Sequence, residues 1–260
     1  MVGLVFGGQV NQGHIYFPSR RERQRYHLTV REIKELVMRT TSRLQQAEEM
    51  LESSFLGVAR AGDLPYLIIG MIPVFSEDFL IDVRAENVHL AVGHFSPTGR
   101  PEYGNPIYTF DGIERRKGGF EYTVRFRRNG LLNASLQLPL IPRQGEHLFA
   151  PSAVDIHLRQ FVSRAGAVYE AAAIGAPYVL GMMLRIQRPL TGVYAATGGL
   201  GEDHTAPVPA GDYRFPSMQV DDLSSTDRII RPFCDQAHQM FGREGSPSFN
   251  AEGVCVARYQ

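Results

Sequence analysis

The side chains best placed to do chemistry in this chain are arginines, which gather in two clusters. The first is Arg20, Arg21, Arg23 and Arg25, with Tyr26 adjoining. The second is Arg115, Arg116 and Lys117, followed closely by Arg125, Arg127 and Arg128. A guanidinium offers planar N–H forks that match phosphate oxygens, so such clusters suit contact with a nucleic-acid backbone. The first cluster also leads into a predicted helix, whose free N–H groups favour anions. Arg20, Arg21, Arg23, Arg25, Arg116, Arg125 and Arg127 are therefore the candidate nucleic-acid-binding residues. The plainer alternative is a solvated turn and a solvated sheet face, and a formal net charge of zero favours it.

Other combinations are weaker. Glu32 and Lys34 have the spacing of a carboxylate–lysine nuclease pair, but they stand in a helix's first turn, where Glu32 has a capping role. No aspartate stands upstream of them. The eight histidines form no HExxH and no pair with cysteine suited to zinc. His89 and His94 are five apart in weakly patterned sequence, and Asp203 adjoins His204 in a predicted loop. A hydrolase or nuclease with an unrecognised site would draw on these four residues. Gly198-Gly199-Leu200-Gly201 lacks the lysine and helix of a phosphate loop, and no Gly-x-Ser-x-Gly elbow exists. The expectation is no metal, no cofactor and no catalytic residue.

Composition sets wider limits. At 260 residues, 43% hydrophobic and 21% charged, the chain has the make-up of a globular protein with a sizeable core. Lys34 and Lys117 are its only lysines. Cys234 and Cys255 give neither a disulfide framework nor metal spacing, and both fall in apolar patterns that read as buried. No apolar run reaches membrane-spanning length, and residues 1–10 lack the pattern of a secretory signal, so the expected setting is cytoplasmic.

The elements that must position these residues follow from periodicity. Thr29-Val30-Arg31-Glu32 has the form of a capping box. Behind it Ile33, Val37, Thr40, Leu44, Ala47, Leu51, Ser54 and Val58 recur at helical spacing, predicting one long amphipathic helix over about 29–60. Tyr66–Val74 and Tyr178–Ile186 are continuous apolar runs that suit strands buried on both faces. Ile107–Glu114, Phe120–Arg128 and Leu131–Leu138 predict a three-stranded antiparallel meander, with Asn129-Gly130 as a type I′ turn. In its middle strand Tyr122, Val124 and Phe126 face one side, and Arg125 and Arg127 the other. Ser152–Asp155 and Ser224–Asp227 read as further caps, for helices over about 153–174 and 225–241. Thr197–Pro216 reads as a mobile loop, Val83–Leu90 as a short helix or irregular connection, and Phe249–Tyr259 as a final hairpin or strand. The predicted class is α+β, with a mixed sheet, in one unit over 1–260; subdomains at 1–98 and 105–260 are the alternative division.

Several of these stretches resemble one group of bacterial proteins: the region that follows the AlbA_2, or Schlafen-like, DNA-binding domain. There a strand near YxRxG leads into xxEIxxLxxRR, much as Ile15–Phe17 and Arg20–Arg25 lead into Thr29–Arg39. The proline-bearing apolar strand Tyr66–Val74 is similar. So are DGIERR…FEYTVRFRRNGLLN and the closing RPFCDQAHQMFGREGSPSFNAEGVCV. The glycine-rich AlbA_2 core itself is absent from these 260 residues, and Gly7-Gly8 is only a faint echo of it. The resemblance thus implies a non-enzymatic companion or regulatory region, with the family's chemistry located upstream. It implies nucleic acid as a partner, a homo-oligomer as another, and no membrane. A dimer built along the long helix is the remaining reading of the sequence.

Overall fold

The computed structural model describes residues 15–18, 25–28, 30–57, 63–76, 80–98, 104–117, 122–143, 146–195 and 202–256. They form an α+β protein whose chain falls into two compact units, Met1–Gln46 and Ala47–Gln260. In the first unit β1 (Ile15–Pro18) pairs antiparallel with β2 (Arg25–Leu28), Ile15 opposite Leu28. The helix α1 (Val30–Leu56) begins in this unit and ends in the second. Thr29, the proposed cap of α1, and Val58, the end of its stripe, lie outside the described residues.

The second unit is built on a seven-stranded antiparallel sheet. Its strands are β3 (Tyr66–Pro73), β4 (Ile107–Tyr108), β5 (Gly112–Arg116), β6 (Tyr122–Arg127), β7 (Leu132–Gln137), β10 (Tyr178–Ile186) and β13 (Gly211–Val220). They lie in the order β13-β10-β3-β7-β6-β5-β4. A smaller sheet holds β8 (Ile141–Arg143), β9 (Glu146–Phe149), β11 (Thr191–Ala195) and β12 (Glu202–His204), and its β9–β11 pairing is parallel. The remaining helices are α2 (Glu86–His94), α3 (Ser152–Ala171) and α4 (Thr226–Met240).

Pleating divides the large sheet into two faces. One carries Leu67, Ile69 and Met71, Val124 and Phe126, Leu132 and Leu136, Leu180 and Met182. These pack with Val88 and Val92 of α2, Leu158 and Phe161 of α3, and Ile230 and Phe233 of α4. On the opposite face the second half of α1 rests on β3 and β10. Ala47, Leu51 and Phe55 are buried there, next to Gly70 and Gly181, which stand opposite each other in register. Every residue of β3 and β10 is consequently buried, as the two apolar runs predicted. The helical stripe predicted along one face divides: Ala47, Leu51 and Ser54 are core, while Val37 is 50% exposed.

Four expectations need correction. Ile107–Glu114 is not one strand but two, β4 and β5, because Asp111-Gly112 turns the chain between them: the Thr109 N–H donates to the Gly112 carbonyl at 2.9 Å. The Asn129-Gly130 turn is not type I′, which needs two positive φ angles. Among the described residues Ala173 is the one non-glycine with positive φ, so Gly130 alone (φ 83°) is left-handed here. Its N–H donates to Arg127 O at 2.9 Å, giving the longer three-residue loop. The Thr197–Pro216 segment contains β12 and the first part of β13; β13 is an edge strand whose outward polar residues and Pro216 hid it. Finally, Phe249–Tyr259 holds, among its described residues, a single Phe249–Cys255 bridge around a turn rather than a hairpin.

Glycine tolerance tests the packing. A Cβ on Gly112 would stand 2.1 Å from the Phe126 carbonyl oxygen, which belongs to the paired strand and cannot move away. A Cβ on Gly70 would meet Leu51 Cδ1 at 2.5 Å, and that methyl can swing. Gly70→Ala is expected to cost about 1–3 kcal/mol, the range of ordinary overpacking. Gly112→Ala should cost clearly more, with urea unfolding as the measurement; equal costs would contradict this packing.

Candidate nucleic-acid interface and a buried polar clasp

Three of the arginines singled out in the sequence are brought together. Register places Glu114 opposite Arg125, Gly112 opposite Arg127, and Arg116 opposite Thr123, so all these side chains share the sheet face that lies opposite α2, α3 and α4. Alternation along β6 is as predicted, with Tyr122, Val124 and Phe126 buried and Arg125 and Arg127 half-exposed. Glu114 sits at the centre, its side chain only 2% exposed, with one carboxylate oxygen bound by Arg116 Nε and the other by Arg125 Nε. Arg127 Nε pairs with Asp111 Oδ2 at 3.1 Å. Side-chain exposure is 60% for Arg116, 36% for Arg125 and 35% for Arg127, so each side chain still reaches solvent, while Arg127 Nε itself is buried and its contact with Asp111 is an ion pair without hydrogen-bond geometry.

The rest of the predicted set does not join them. Arg115, from the same run, points to the helix side, where it is buried, donates from Nη1 to the Phe95 carbonyl at 2.7 Å and lies over the Tyr122 ring. Arg20, Arg21 and Arg23 lie outside the described residues, and Arg25 opens β2 in the first unit. His89 and His94 are on α2, with His89 Nδ1 3.3 Å from the Tyr108 hydroxyl. Asp203 and His204 are on β12, and Asp203 is paired with Arg243 at 3.0 Å. Among the described residues no three His, Cys, Asp or Glu side chains are grouped to hold a metal ion, and no helix is long and apolar enough to cross a membrane.

A second polar constellation was not foreseen. Asp155 of α3 and His238 of α4 are both fully buried, with His238 Nε2 2.9 Å from Asp155 Oδ2. The same oxygen accepts the hydroxyls of Ser246 at 2.7 Å and Ser248 at 2.6 Å. Asp227, in the first turn of its helix like Asp155, takes Arg159 Nε on one oxygen and the Cys255 N–H on the other, both at 2.9 Å. Neither aspartate serves the cap assigned to its segment: Pro151 and Ser225 occupy the cap positions, and neither has a side-chain cap bond. Both instead tie the chain after α4 to the helices. The partners of Asp155 are 83 to 93 residues away, so no local pattern could have announced them.

Ser246 also borders an open cleft of about 750 Å³, lined by Tyr194, Arg231, Asp235, Arg243 and Glu244 as well. Its formal charge is balanced, two arginines against two acids. The Tyr194 ring lies between Arg243, 4.6 Å from its centroid, and His238 at 5.4 Å. Burial pushes the Tyr194 hydroxyl well above its ordinary range, against the pull of Arg243. Burial, and then the charge of nearby Asp155, likewise push the Cys234 thiol up, which leaves it protonated and unreactive. An acyl-transfer site needs a hydroxyl in contact with its base; here Ser246 donates to Asp155, and the imidazole is sealed from the cleft. Compared with known proteins, the chain matches no family model, no curated protein and no solved structure.

The clasp should behave as a structural unit. Asp155→Ala leaves a buried imidazole and two hydroxyls without their common acceptor, and is expected to cost about 3–5 kcal/mol. Ser246→Ala removes one hydrogen bond and should cost about 1 kcal/mol. Urea unfolding of both variants checks the ratio; equal, small effects would mean that Asp155 holds nothing together.

Proposed function

We propose that this chain is a non-enzymatic companion module of a Schlafen-like nucleic-acid-binding protein, and that its β5–β6 face assists by touching phosphates. What carries the reading is the row of Arg116, Arg125 and Arg127 on one sheet face. Three arginines against Glu114 and Asp111 leave a local excess of one positive charge (3 − 2 = 1). The carboxylates also hold the guanidinium groups in place, so little side-chain freedom remains to be lost when a phosphate arrives. A module of this charge supplies contacts that add to a stronger neighbouring site rather than tight binding alone.

The test uses two substitutions of opposite sign. Arg127 pairs at the surface, so Arg127→Gln should leave the fold intact, weaken nucleic-acid binding and lower the slope of log affinity against log salt by about 1. Glu114→Gln removes the negative charge between Arg116 and Arg125, and binding should tighten with a steeper salt slope. If both variants bind as the parent does, with unchanged slopes, this face touches no phosphate.

Self-association along α1 is a second reading, favoured by the 50% exposed Val37 and 72% exposed Met38 on one stretch of helix. Val37→Glu together with Leu44→Glu should then convert a dimer to a monomer in sedimentation, with the unfolding curve unchanged. A dimer that survives both changes ends the idea.

A further inference from the structure

We infer that the β5–β6 face takes single-stranded rather than duplex nucleic acid, with Phe110 as the platform on which a base stacks; the inference rests on the phosphate-contact reading above. Phe110 stands at the tip of the β4–β5 turn, and its side chain is 102% exposed. The turn that presents it is held firmly. Thr109 Oγ1 donates to Asp111 Oδ1 at 3.1 Å, and the Arg128 N–H donates to the Asp111 carbonyl at 2.8 Å. The Asp111 carboxylate then pairs with Arg127. One residue thus joins the aromatic tip to the arginine row. A ring carried on a turn held so, and contributing no burial to the fold, is surface that a partner can cover.

The neighbouring residues extend this border. Ile107 is paired with Glu114, so it shares the arginine face, and it is 55% exposed. Arginines that track a backbone beside apolar and aromatic surface are the composition of single-strand grooves, where each base contributes its ring face. In a duplex those ring faces are already stacked, and reaching one requires unstacking and unpairing. Space points the same way. On this same face, beyond β7, the second half of α1 stands on β3 and β10 as a ridge roughly 10 Å thick. Strands β7 to β4 leave a strip on the order of 15 Å wide, at about 4.8 Å per strand. One strand fits along it, phosphates on the arginines and bases turned toward Phe110.

The experiment compares the affinities of three probes at one salt concentration, for the parent chain and for Phe110→Ala. They are a pyrimidine strand of about 12 nucleotides, within the range of single-strand site sizes, the same sugar–phosphate chain without bases, and a duplex of that length. Each strand is used in ribose and deoxyribose form, which separates RNA from DNA as the source. The parent should bind the strand at least about fivefold more tightly than either other probe. Phe110→Ala should bring the strand down to the level of the base-free chain, while base-free binding and the unfolding curve stay put. Equal binding of strand and duplex, or a Phe110→Ala variant that binds the strand normally, overturns the inference and leaves the phosphate reading standing. If no probe binds at all, both fall together.

Discussion

Leu51 lies against two glycines, and the larger unit takes its shape from that contact. Gly70 and Gly181 stand opposite each other on β3 and β10, and a Cβ on either would come within 2.8 Å of a Leu51 methyl. Their bare backbone lets the second half of α1 settle onto the sheet, so β3 and β10 are dry on both faces. With the other helices covering the opposite face, polar groups on the α1 side fall at its two ends: Asp212 and Arg214 on β13, and the arginines of β5 and β6. Among the described residues of the larger unit, the second half of α1 packs on β3 and β10, and the arginine row lies farther along the same face, on β5 and β6.

That division explains what was legible in the sequence. Strands buried on both faces leave uninterrupted apolar runs, so Tyr66–Pro73 and Tyr178–Ile186 could be read within a residue of their limits. β6 is half-covered and alternates, which placed Arg125 and Arg127 correctly on one face. The edges were harder. β13 carries Asp212, Arg214, Pro216 and Gln219; among the described residues no strand adds beyond it, which leaves room for Pro216, and this polar pattern read as loop. α1 looked uniform, yet periodicity cannot tell a stripe that meets a sheet from one that does not. Arg115 misled for a related reason: a buried arginine on the core side, satisfied by the Phe95 carbonyl, has the same letter as its exposed neighbour.

Glu114 matters most for the electrostatics of the open face. A carboxylate at 2% exposure would be costly without partners, and Arg116 and Arg125 supply them. Each arginine meets the carboxylate through its Nε, and the Arg116 and Arg125 side chains keep 60% and 36% of their surface exposed. Glu114 therefore does two opposed things: it cancels part of the positive potential, and it orients what is left. The second effect gives the face a defined geometry; the first keeps it weak, in line with a chain whose formal net charge is zero.

The cleft beside Ser246 and the arginine face differ in the two properties that decide chemistry at a surface. In the cleft the arginines have acids of their own, Arg243 with Asp203 and Arg231 with Asp235, and the charges balance. Beneath it Asp155 gathers three donors onto a single oxygen, drawn from α4 and from the chain that follows it. That oxygen is fully engaged, while Asp155 Oδ1 and His238 Nδ1 are buried with no hydrogen-bond partner among the described residues; the three bonds to the shared oxygen hold the chain after α4 against two helices. On the sheet face the cations outnumber the acids and reach water, and a solvent-exposed ring stands beside them. A ligand gains by covering such a surface, whereas in the cleft it would first have to break pairs that the fold already needs.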